Sequence, residues 1–278
     1  MVDDRIVLER YDLSRVEPKS LIVCIGPTGS GKTVLGKDIA YHLRDRIPSA
    51  VVFSKTAPTN KEYKYTFPDI FVHPQFEPEV LEKFIKHRKT LWAYFKERNV
   101  NAIKKYNINS HILIIADDCL SDSKWTKNES TREMFYQGRH YDITFLFMMQ
   151  YPLSIHPDER GQLKYVFLFP GDDPGIQDRY YENYCKGIFP DKKTFNKVMD
   201  KVSIRQGACL VVDRTVKTRN RFDKIFWYRA KIHDTFPFTC ALAWDYHKKK
   251  YCCNWWHRDL KNSKKKREKG GIDVILED

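Results

Sequence analysis

The chain has 278 residues, of which 42% are hydrophobic and 14% aromatic, and a formal net charge of +13. This length can bury a substantial core, and the composition suits a folded enzyme. No segment approaches the roughly 18 consecutive apolar residues of a membrane-spanning helix, and residues 1–5 lack the features of a signal peptide. We therefore expect no membrane span and a cytosol-like compartment, and the seven scattered cysteines form no evident disulfide framework.

The strongest motif is a glycine-rich loop between the apolar run Leu21–Ile25 and a predicted helix that ends near Leu43. Its residues match the phosphate-binding pattern G-x-x-x-x-G-K-[ST]: Gly26, Pro27, Thr28, Gly29, Ser30, Gly31, Lys32 and Thr33. Glycines let consecutive backbone N–H groups point at one anion, and the helix N-terminus adds partial positive charge. Lys32 is predicted to reach the β- and γ-phosphates of a nucleotide, and the Thr33 hydroxyl to hold Mg²⁺. The alternative is a simple glycine turn that links a strand to a helix.

The second motif is the run His111–Asp118, in which five apolar residues follow the histidine and two aspartates end the run. Such a run is typical of a strand buried on both faces of a parallel sheet, and open α/β folds bind ligands at the carboxyl ends of their strands. It matches a Walker B element. Asp117 is predicted as a Mg²⁺ ligand and Asp118 as the base that polarises water, although Asp is one methylene shorter than the usual Glu. The alternative is a pair of aspartates that cap a strand end.

A third buried strand is predicted at residues 143–149, and it ends at Gln150. A polar side chain at that point can lie beside the γ-phosphate and position water. Arg139 precedes the same strand. From the residues alone it is equally well an ordinary surface residue or an arginine finger that stabilises transition-state charge, including across a subunit boundary.

Further strands and helices alternate along the rest of the chain, which predicts an α/β fold with a mostly parallel central sheet flanked by helices. Helices are predicted at residues 78–99 and 176–185, and strands at residues 165–169, 208–212 and 224–228. The last two strands are joined by a loop with four basic residues, which is either an exposed turn or a contact for phosphates: Arg214, Lys217, Arg219 and Arg221.

The composition changes near the C-terminus. Residues 247–269 contain ten Lys or Arg against two acidic residues, with Tyr251, Trp255 and Trp256 interleaved. This pattern is typical of a disordered nucleic-acid-binding arm or a nuclear-targeting patch. We therefore divide the chain into an N-terminal arm (1–19), a P-loop ATPase domain (20–246) and a basic tail (247–278). The spacing of Cys252, Cys253 and His257 is poor for zinc, and a metal site there is disfavoured.

Together the P-loop, the two Walker B aspartates, and the Gly138-Arg139-His140 element before the strand that ends at Gln150 resemble a known family. The strand 165–169 and the tyrosine-rich helix around residues 180–184 add to the resemblance. The family is the poxvirus-type DNA-packaging ATPases of nucleocytoplasmic large DNA viruses, within the FtsK/HerA superfamily of P-loop NTPases. The resemblance covers roughly residues 18–235.

The resemblance implies a RecA-like (ASCE-type) core with an extra strand between the P-loop strand and the Walker B strand. It also implies MgATP hydrolysis between subunits of a homo-oligomeric ring, a pentamer or hexamer, that drives double-stranded DNA into a capsid. By position in the resemblance, Arg139 looks like the arginine finger of the family and Gln150 like its strand-end sensor. Further implied partners are capsid or other packaging proteins, and the implied location is the host cytoplasm, at the viral factory, and the virion.

Two rival functions remain open at the level of sequence. A small-molecule kinase or GTPase is one, although the segment Asn60-Lys61-Glu62-Tyr63 only superficially resembles a guanine-reading motif and lacks its aspartate. The other is a nucleic-acid-binding or scaffolding protein that uses ATP as a switch. The basic tail fits every DNA-binding interpretation and does not discriminate among them.

Overall fold

The computed structural model describes residues 6–57, 62–97, 109–119 and 128–250. Its central feature is an eight-stranded sheet of order β3-β2-β4-β5-β1-β6-β7-β8. All strands from β3 to β6 along this order pair in parallel, and β7 pairs antiparallel with both β6 and β8. The strands are β1 (Leu21–Ile25), β2 (Ser49–Ser54), β3 (Val72–His73), β4 (Ile112–Asp117), β5 (Ile143–Met149), β6 (Tyr165–Leu168), β7 (Ala208–Asp213) and β8 (Ile225–Arg229).

The mostly parallel sheet predicted from the sequence is therefore confirmed, as is its strand order around the motifs. β5 pairs with β1 on one side and with β4 on the other. It thus separates the strand before the P-loop from the strand that carries the Walker B aspartates. This is the extra strand that the family resemblance implies.

The central strands are apolar because both of their faces are covered. Every residue of β1, β4 and β5 is buried. Successive side chains alternate between the two faces of a strand, so Val23 and Ile25 belong to one hydrophobic core while Ile22 and Cys24 belong to the other. The sheet consequently forms the middle layer of three.

Seven α-helices of the described chain accompany the sheet: α1 (Lys32–Leu43), α2 (Pro78–Glu97), α3 (Glu129–Gln137), α4 (Pro157–Arg160), α5 (Pro174–Tyr180), α6 (Lys192–Ser203) and α7 (Ala241–Lys250). Helix α1 covers one face with Leu35, Ile39 and Leu43. Helices α2, α3 and α6 contribute to the core on the other face. None of the described helices combines the length and the apolar character that a bilayer-crossing helix requires.

The segment before β1 packs closely on the sheet rather than extending from it. Tyr11, Leu13 and Val16 are buried. The hydroxyl of Tyr11 donates a hydrogen bond to the carboxylate of Asp213 on β7, and the backbone of Arg10 bridges that of Trp227 on β8. Burial and the nearby Asp213 carboxylate raise the pKa of Tyr11 well above its usual range, so this phenol stays a neutral donor.

Several local predictions differ from the structure. The helix predicted over 176–185 begins at Pro174 and becomes a π-helix over Tyr181–Cys185. Arg214 is not a free phosphate contact, because its guanidinium donates to the carbonyls of Arg160 and Tyr184.

At the C-terminal end of the described chain, Cys240 is exposed, whereas Cys24, Cys119 and Cys209 are buried. Helix α7 runs through residue 247, the start of the predicted tail. The predictions for residues 251–278, including Cys252, Cys253 and His257, lie outside the described residues, as do Asn60 and Lys61.

Candidate nucleotide-binding site

The carboxyl ends of the parallel strands gather the motif residues at one edge of the sheet. The glycine-rich loop follows β1, Asp117 ends β4, and Gln150 follows β5. Because these three strands are adjacent and parallel, residues from three distant parts of the sequence meet at this edge.

The loop owes its shape to glycines. Gly31 has φ 102° and immediately precedes α1, a left-handed conformation that residues with a Cβ rarely adopt. Gly26 has a different role, since a Cβ at this position would lie 2.5 Å from the Cβ of Phe169. The loop backbone therefore sits directly against the end of β6, and α1 begins where its N-terminal N–H groups can face an anion.

Lys32 lies folded over this loop. Its side chain is 7% exposed, and Nζ donates to the carbonyl oxygens of Gly26 (2.9 Å) and Pro27 (2.8 Å). Burial lowers the pKa of Lys32, and the charges of Asp118 and Asp117 oppose that shift. Ser30 Oγ is buried without a hydrogen-bond partner within the described part of the chain. A cradle with an unpartnered hydroxyl and a buried ammonium fits a polyphosphate.

Asp117 and Thr33 meet beside this cradle. The carboxylate of Asp117 is 3% exposed and accepts hydrogen bonds from Thr33 Oγ1 (3.2 Å) and from the hydroxyl of Tyr63 (2.6 Å). Burial raises the pKa of Asp117, and the hydrogen bonds from Tyr63 and Thr33 act against that rise. A buried carboxylate beside a hydroxyl is a donor set of the hard oxygen type that Mg²⁺ prefers.

Asp118 and Gln150 also meet. Gln150 Nε2 donates to the carboxylate of Asp118 at 2.7 Å. Asp118 has φ 50°, and its backbone N–H donates to the carbonyl of Met148 on β5. Because of this turn, the two neighbouring carboxylates point to different partners. That of Asp117 accepts hydrogen bonds from Thr33 and Tyr63, and that of Asp118 accepts one from Gln150.

Tyr63 was not predicted as a site residue. It is 1% exposed and reaches Asp117 from 54 positions earlier in the chain. Burial, and then the charge of Asp117, raise the pKa of Tyr63 well above its ordinary value, so the phenol remains a donor. Its polar surroundings in the sequence are those of an ordinary loop, and no local pattern identifies it.

Arg139 does not join this group. It is exposed, in a 3₁₀ turn over Gly138–Tyr141 that precedes β5, and its Nε donates to the ring of His140. Gln150 follows the same strand, which spans roughly 20 Å at about 3.3 Å per residue. Arg139 therefore lies at the amino end of the parallel strands, at the edge opposite to the glycine-rich loop.

A cleft of about 390 Å³ adjoins the loop. It is lined on one side by Ser30 and on the other by the segment after β6 and the turn before β7, with Gln177, Ser203 and Arg205 among its polar groups. Its position places polar side chains next to the phosphate cradle.

Comparison with known proteins places these features in a family. The sequence profile described as Poxvirus A32 protein matches residues 9–169. Protein L437 of Acanthamoeba polyphaga mimivirus is 33% identical over 249 residues, which cover 89% of this chain and 85% of that protein. Protein 015R of Frog virus 3 (isolate Goorha) is 32% identical over 227 residues, or 81% of this chain and 66% of that protein.

Solved structures share the fold. The genome packaging NTPase B204 from Sulfolobus turreted icosahedral virus 2, in complex with sulfate, superposes with a TM-score of 0.54 at 17% identity, covering 79% of this chain and 100% of that one. The pCW3 conjugation coupling protein TcpA with ATPγS gives a TM-score of 0.54 at 14% identity over 84% of this chain and 68% of that one. These similarities establish the predicted RecA-like P-loop fold. The profile match and the viral relatives show that the chain belongs to the poxvirus A32 protein family, as the resemblance of its motifs to the poxvirus-type packaging ATPases implies.

Proposed function

We propose that this protein is a viral genome-packaging ATPase that hydrolyses MgATP and moves double-stranded DNA. The observation that carries the proposal is the convergence of a phosphate cradle, a Thr33–Asp117 pair and an Asp118–Gln150 pair at one edge of a RecA-like sheet. The B204 neighbour is a genome packaging NTPase, which supports the same assignment.

In this proposal the backbone of Gly26–Thr33 and the ammonium of Lys32 bind the phosphates of ATP. Lys32 exchanges the carbonyls of Gly26 and Pro27 for phosphate oxygens. Thr33 and Asp117 hold Mg²⁺, which when bound supplies positive charge that offsets the negative charge of the phosphates. The cleft beside Ser30 is the place for the nucleoside.

Asp118 accepts the proton of the attacking water, and Gln150 orients its carboxylate. The 2.7 Å hydrogen bond between them fixes the direction of the carboxylate oxygen. An Asp side chain is one methylene shorter than that of Glu. However, Asp118 has a left-handed backbone with φ 50°, so its side chain points in another direction than it would if β4 continued through this residue.

Arg139 stabilises the transition state in a neighbouring subunit. Its position before β5 puts it far from the phosphate cradle of its own chain, whereas its exposure leaves it free to approach another. A homo-oligomeric ring, a pentamer or hexamer, brings the two opposite edges of adjacent subunits together. Without that neighbour, the electrostatic stabilisation of the transition state is incomplete and hydrolysis is slow.

The remaining parts of the proposal concern partners and place. The basic segment 247–278 contacts DNA phosphates without sequence preference. Residues 20–246 form the ATPase domain, and Tyr11, Leu13 and Val16 of the preceding segment pack onto its sheet. The ATPase binds capsid or other packaging proteins, and it is located in the host cytoplasm and in the virion.

Steady-state ATP hydrolysis with and without long double-stranded DNA tests the proposal. We expect stimulation by DNA in the wild type and its loss in both Lys32→Ala and Arg139→Ala, with Arg132→Ala, an exposed arginine of α3, as the matched control. The Lys32→Ala chain should remain folded by circular dichroism. Turnover that ignores DNA and responds to a small acceptor would instead indicate a kinase, and ATP binding without turnover a switch.

A further inference from the structure

Asp38 is a fully buried carboxylate on α1, six residues after Lys32 of the nucleotide cradle. Its exposure is 0%. One oxygen, Oδ2, accepts hydrogen bonds from the hydroxyl of Tyr228 (2.8 Å) and the backbone N–H of Lys231 (2.7 Å). The other oxygen, Oδ1, faces two imidazoles, with Nε2 of His233 at 2.6 Å and Nε2 of His42 at 3.6 Å.

We propose that Asp38, His42 and His233 form a binding site for Zn²⁺. The donor atoms of the three side chains all lie within 4.8 Å of one another. Tetrahedral zinc with bonds of about 2.0–2.1 Å holds its ligand atoms about 3.3 Å apart, so sub-ångström to ångström side-chain adjustments suffice. Two imidazoles and one carboxylate are a ligand set that suits zinc.

The fold presents these ligands through two elements. Asp38 and His42 are four residues apart on α1, so they project from the same face of the helix. His233 comes from the segment after β8. Its ring stacks on that of Tyr41, with centroids 3.8 Å apart and an interplanar angle of 10°. This stacking fixes the imidazole plane with its Nε2 toward Asp38.

The surroundings have the features of a metal site. Tyr228 and Lys231 hold Oδ2 and leave Oδ1 to the imidazoles, as partners behind a metal ligand do. The side chains of His42 and His233 are 28% and 16% exposed, so an ion can enter from solvent and water can complete the coordination. Among the ion pairs of the described residues, both partners of Asp38 are histidines.

Binding has a defined proton balance. Zinc takes the Nε2 lone pair of each neutral ring, so each ring carries its proton on Nδ1, and any second proton is released to solvent. The hydrogen bond between His233 and Asp38 is replaced by bonds to the ion. The bound ion therefore cross-links α1 to the segment that follows β8. The first turn of α1 contains Lys32 and Thr33. This inference does not depend on the proposed function.

Zinc titration of the chelator-dialysed full chain tests the site. We expect isothermal titration calorimetry to detect one equivalent of Zn²⁺ whose affinity falls at least 100-fold in His42→Gln and in His233→Ala. His87→Ala, an exposed histidine of α2, is the matched control and should bind as the wild type does. Tyr228→Phe, which removes a donor behind the ligand, should weaken binding about 10- to 100-fold.

X-ray absorption at the zinc edge separates this site from the cysteines of residues 252 and 253. A first shell of nitrogen and oxygen that is lost in both histidine variants supports the proposal. Zinc held by sulfur, binding that is equal in all folded variants, or no binding by the wild type would each overturn it. Circular dichroism establishes that each variant is folded.

Discussion

At the scale of single residues, the site depends on contacts that hold its charged groups in place. Lys32 is held by two loop carbonyls, and Asp117 by the hydroxyls of Thr33 and Tyr63. A carboxylate that is nearly inaccessible loses hydration, which explains the raised pKa of Asp117. Tyr63 and Thr33 offset part of that cost, so we propose that Tyr63 positions Asp117, the proposed ligand of Mg²⁺.

The substitution Tyr63→Phe removes this positioning hydroxyl and keeps the ring. We expect the apparent Mg²⁺ affinity to fall about 10- to 100-fold, because loss of a group behind a metal ligand has effects of this size. The measurements are ATP hydrolysis against Mg²⁺ concentration and the shift of the thermal midpoint by Mg²⁺. Tyr184→Phe is the control, since that buried hydroxyl donates to the carbonyl of Pro152; an equal loss of Mg²⁺ affinity in both variants would contradict a specific role.

The substitution Gly26→Ala tests the close packing of the loop. Its Cβ would lie 2.5 Å from that of Phe169, which forces the loop away from β6. We expect a destabilisation of about 1–3 kcal/mol, as for overpacking of a core, together with weaker nucleotide binding. Denaturant unfolding and nucleotide titration measure the two effects. Gly187→Ala, with nothing within 4 Å, should be neutral by comparison.

At the scale of elements, Asp142 joins three strands at the amino edge of the sheet. Its carboxylate pairs with Lys19 before β1, accepts a hydrogen bond from Ser110 before β4, and lies itself before β5. Burial alone would raise the pKa of Asp142, but the hydrogen bonds from Lys19 and Ser110, together with the charges of Lys19 and His111, outweigh it and lower the pKa. The ionised carboxylate therefore stabilises the folded state.

This assignment has a definite pH dependence. A depressed folded pKa contributes stability above the unfolded value of about 3.9, and that contribution is lost as the pH falls through the folded pKa. Asp142→Asn should therefore destabilise the fold by about 1–3 kcal/mol at neutral pH and by less below pH ~4. Asn tolerates the left-handed backbone at φ 60°.

Denaturant unfolding at the two pH values measures the difference. Asp178→Asn, which breaks an exposed pair with Lys192 on the surface, is the control and should cost under about 1 kcal/mol. A pH-independent loss in Asp142→Asn would show that its carboxylate charge is not what matters.

At the scale of the whole molecule, the sheet separates the two halves of the proposed catalytic site. The phosphate cradle is at the carboxyl edge of the parallel strands, and Arg139 is at the amino edge of β5. If Arg139 serves as the proposed finger, the site is completed by a second copy whose opposite edge faces the cradle. This geometry argues for a finger that acts in trans.

Mixing two inactive variants tests that arrangement. Lys32→Ala chains retain Arg139, and Arg139→Ala chains retain the cradle, so a mixed ring contains intact sites where the two meet. At equal amounts of the two variants we expect about one quarter of the wild-type DNA-stimulated hydrolysis. Each site is intact only when one subunit carries Lys32 and its neighbour carries Arg139, and each condition holds about half of the time. Lys32→Ala mixed with the double variant has no intact site and is the control. Mixtures that stay inactive would mean that Arg139 does not act across subunits.

Most strands and helices and the local motifs follow from the sequence alone. Buried parallel strands are continuous apolar runs, so β5 was predicted with its observed bounds, and a P-loop is read from adjacent residues between a strand and a helix. Which distant groups meet depends on the three-dimensional packing of these elements. Tyr63 reaches Asp117, and His233 lies 195 positions from Asp38, because strand order and the packing of irregular segments bring them together. Hydrophobic periodicity encodes which face of an element is buried, but it carries no record of the partner across the core.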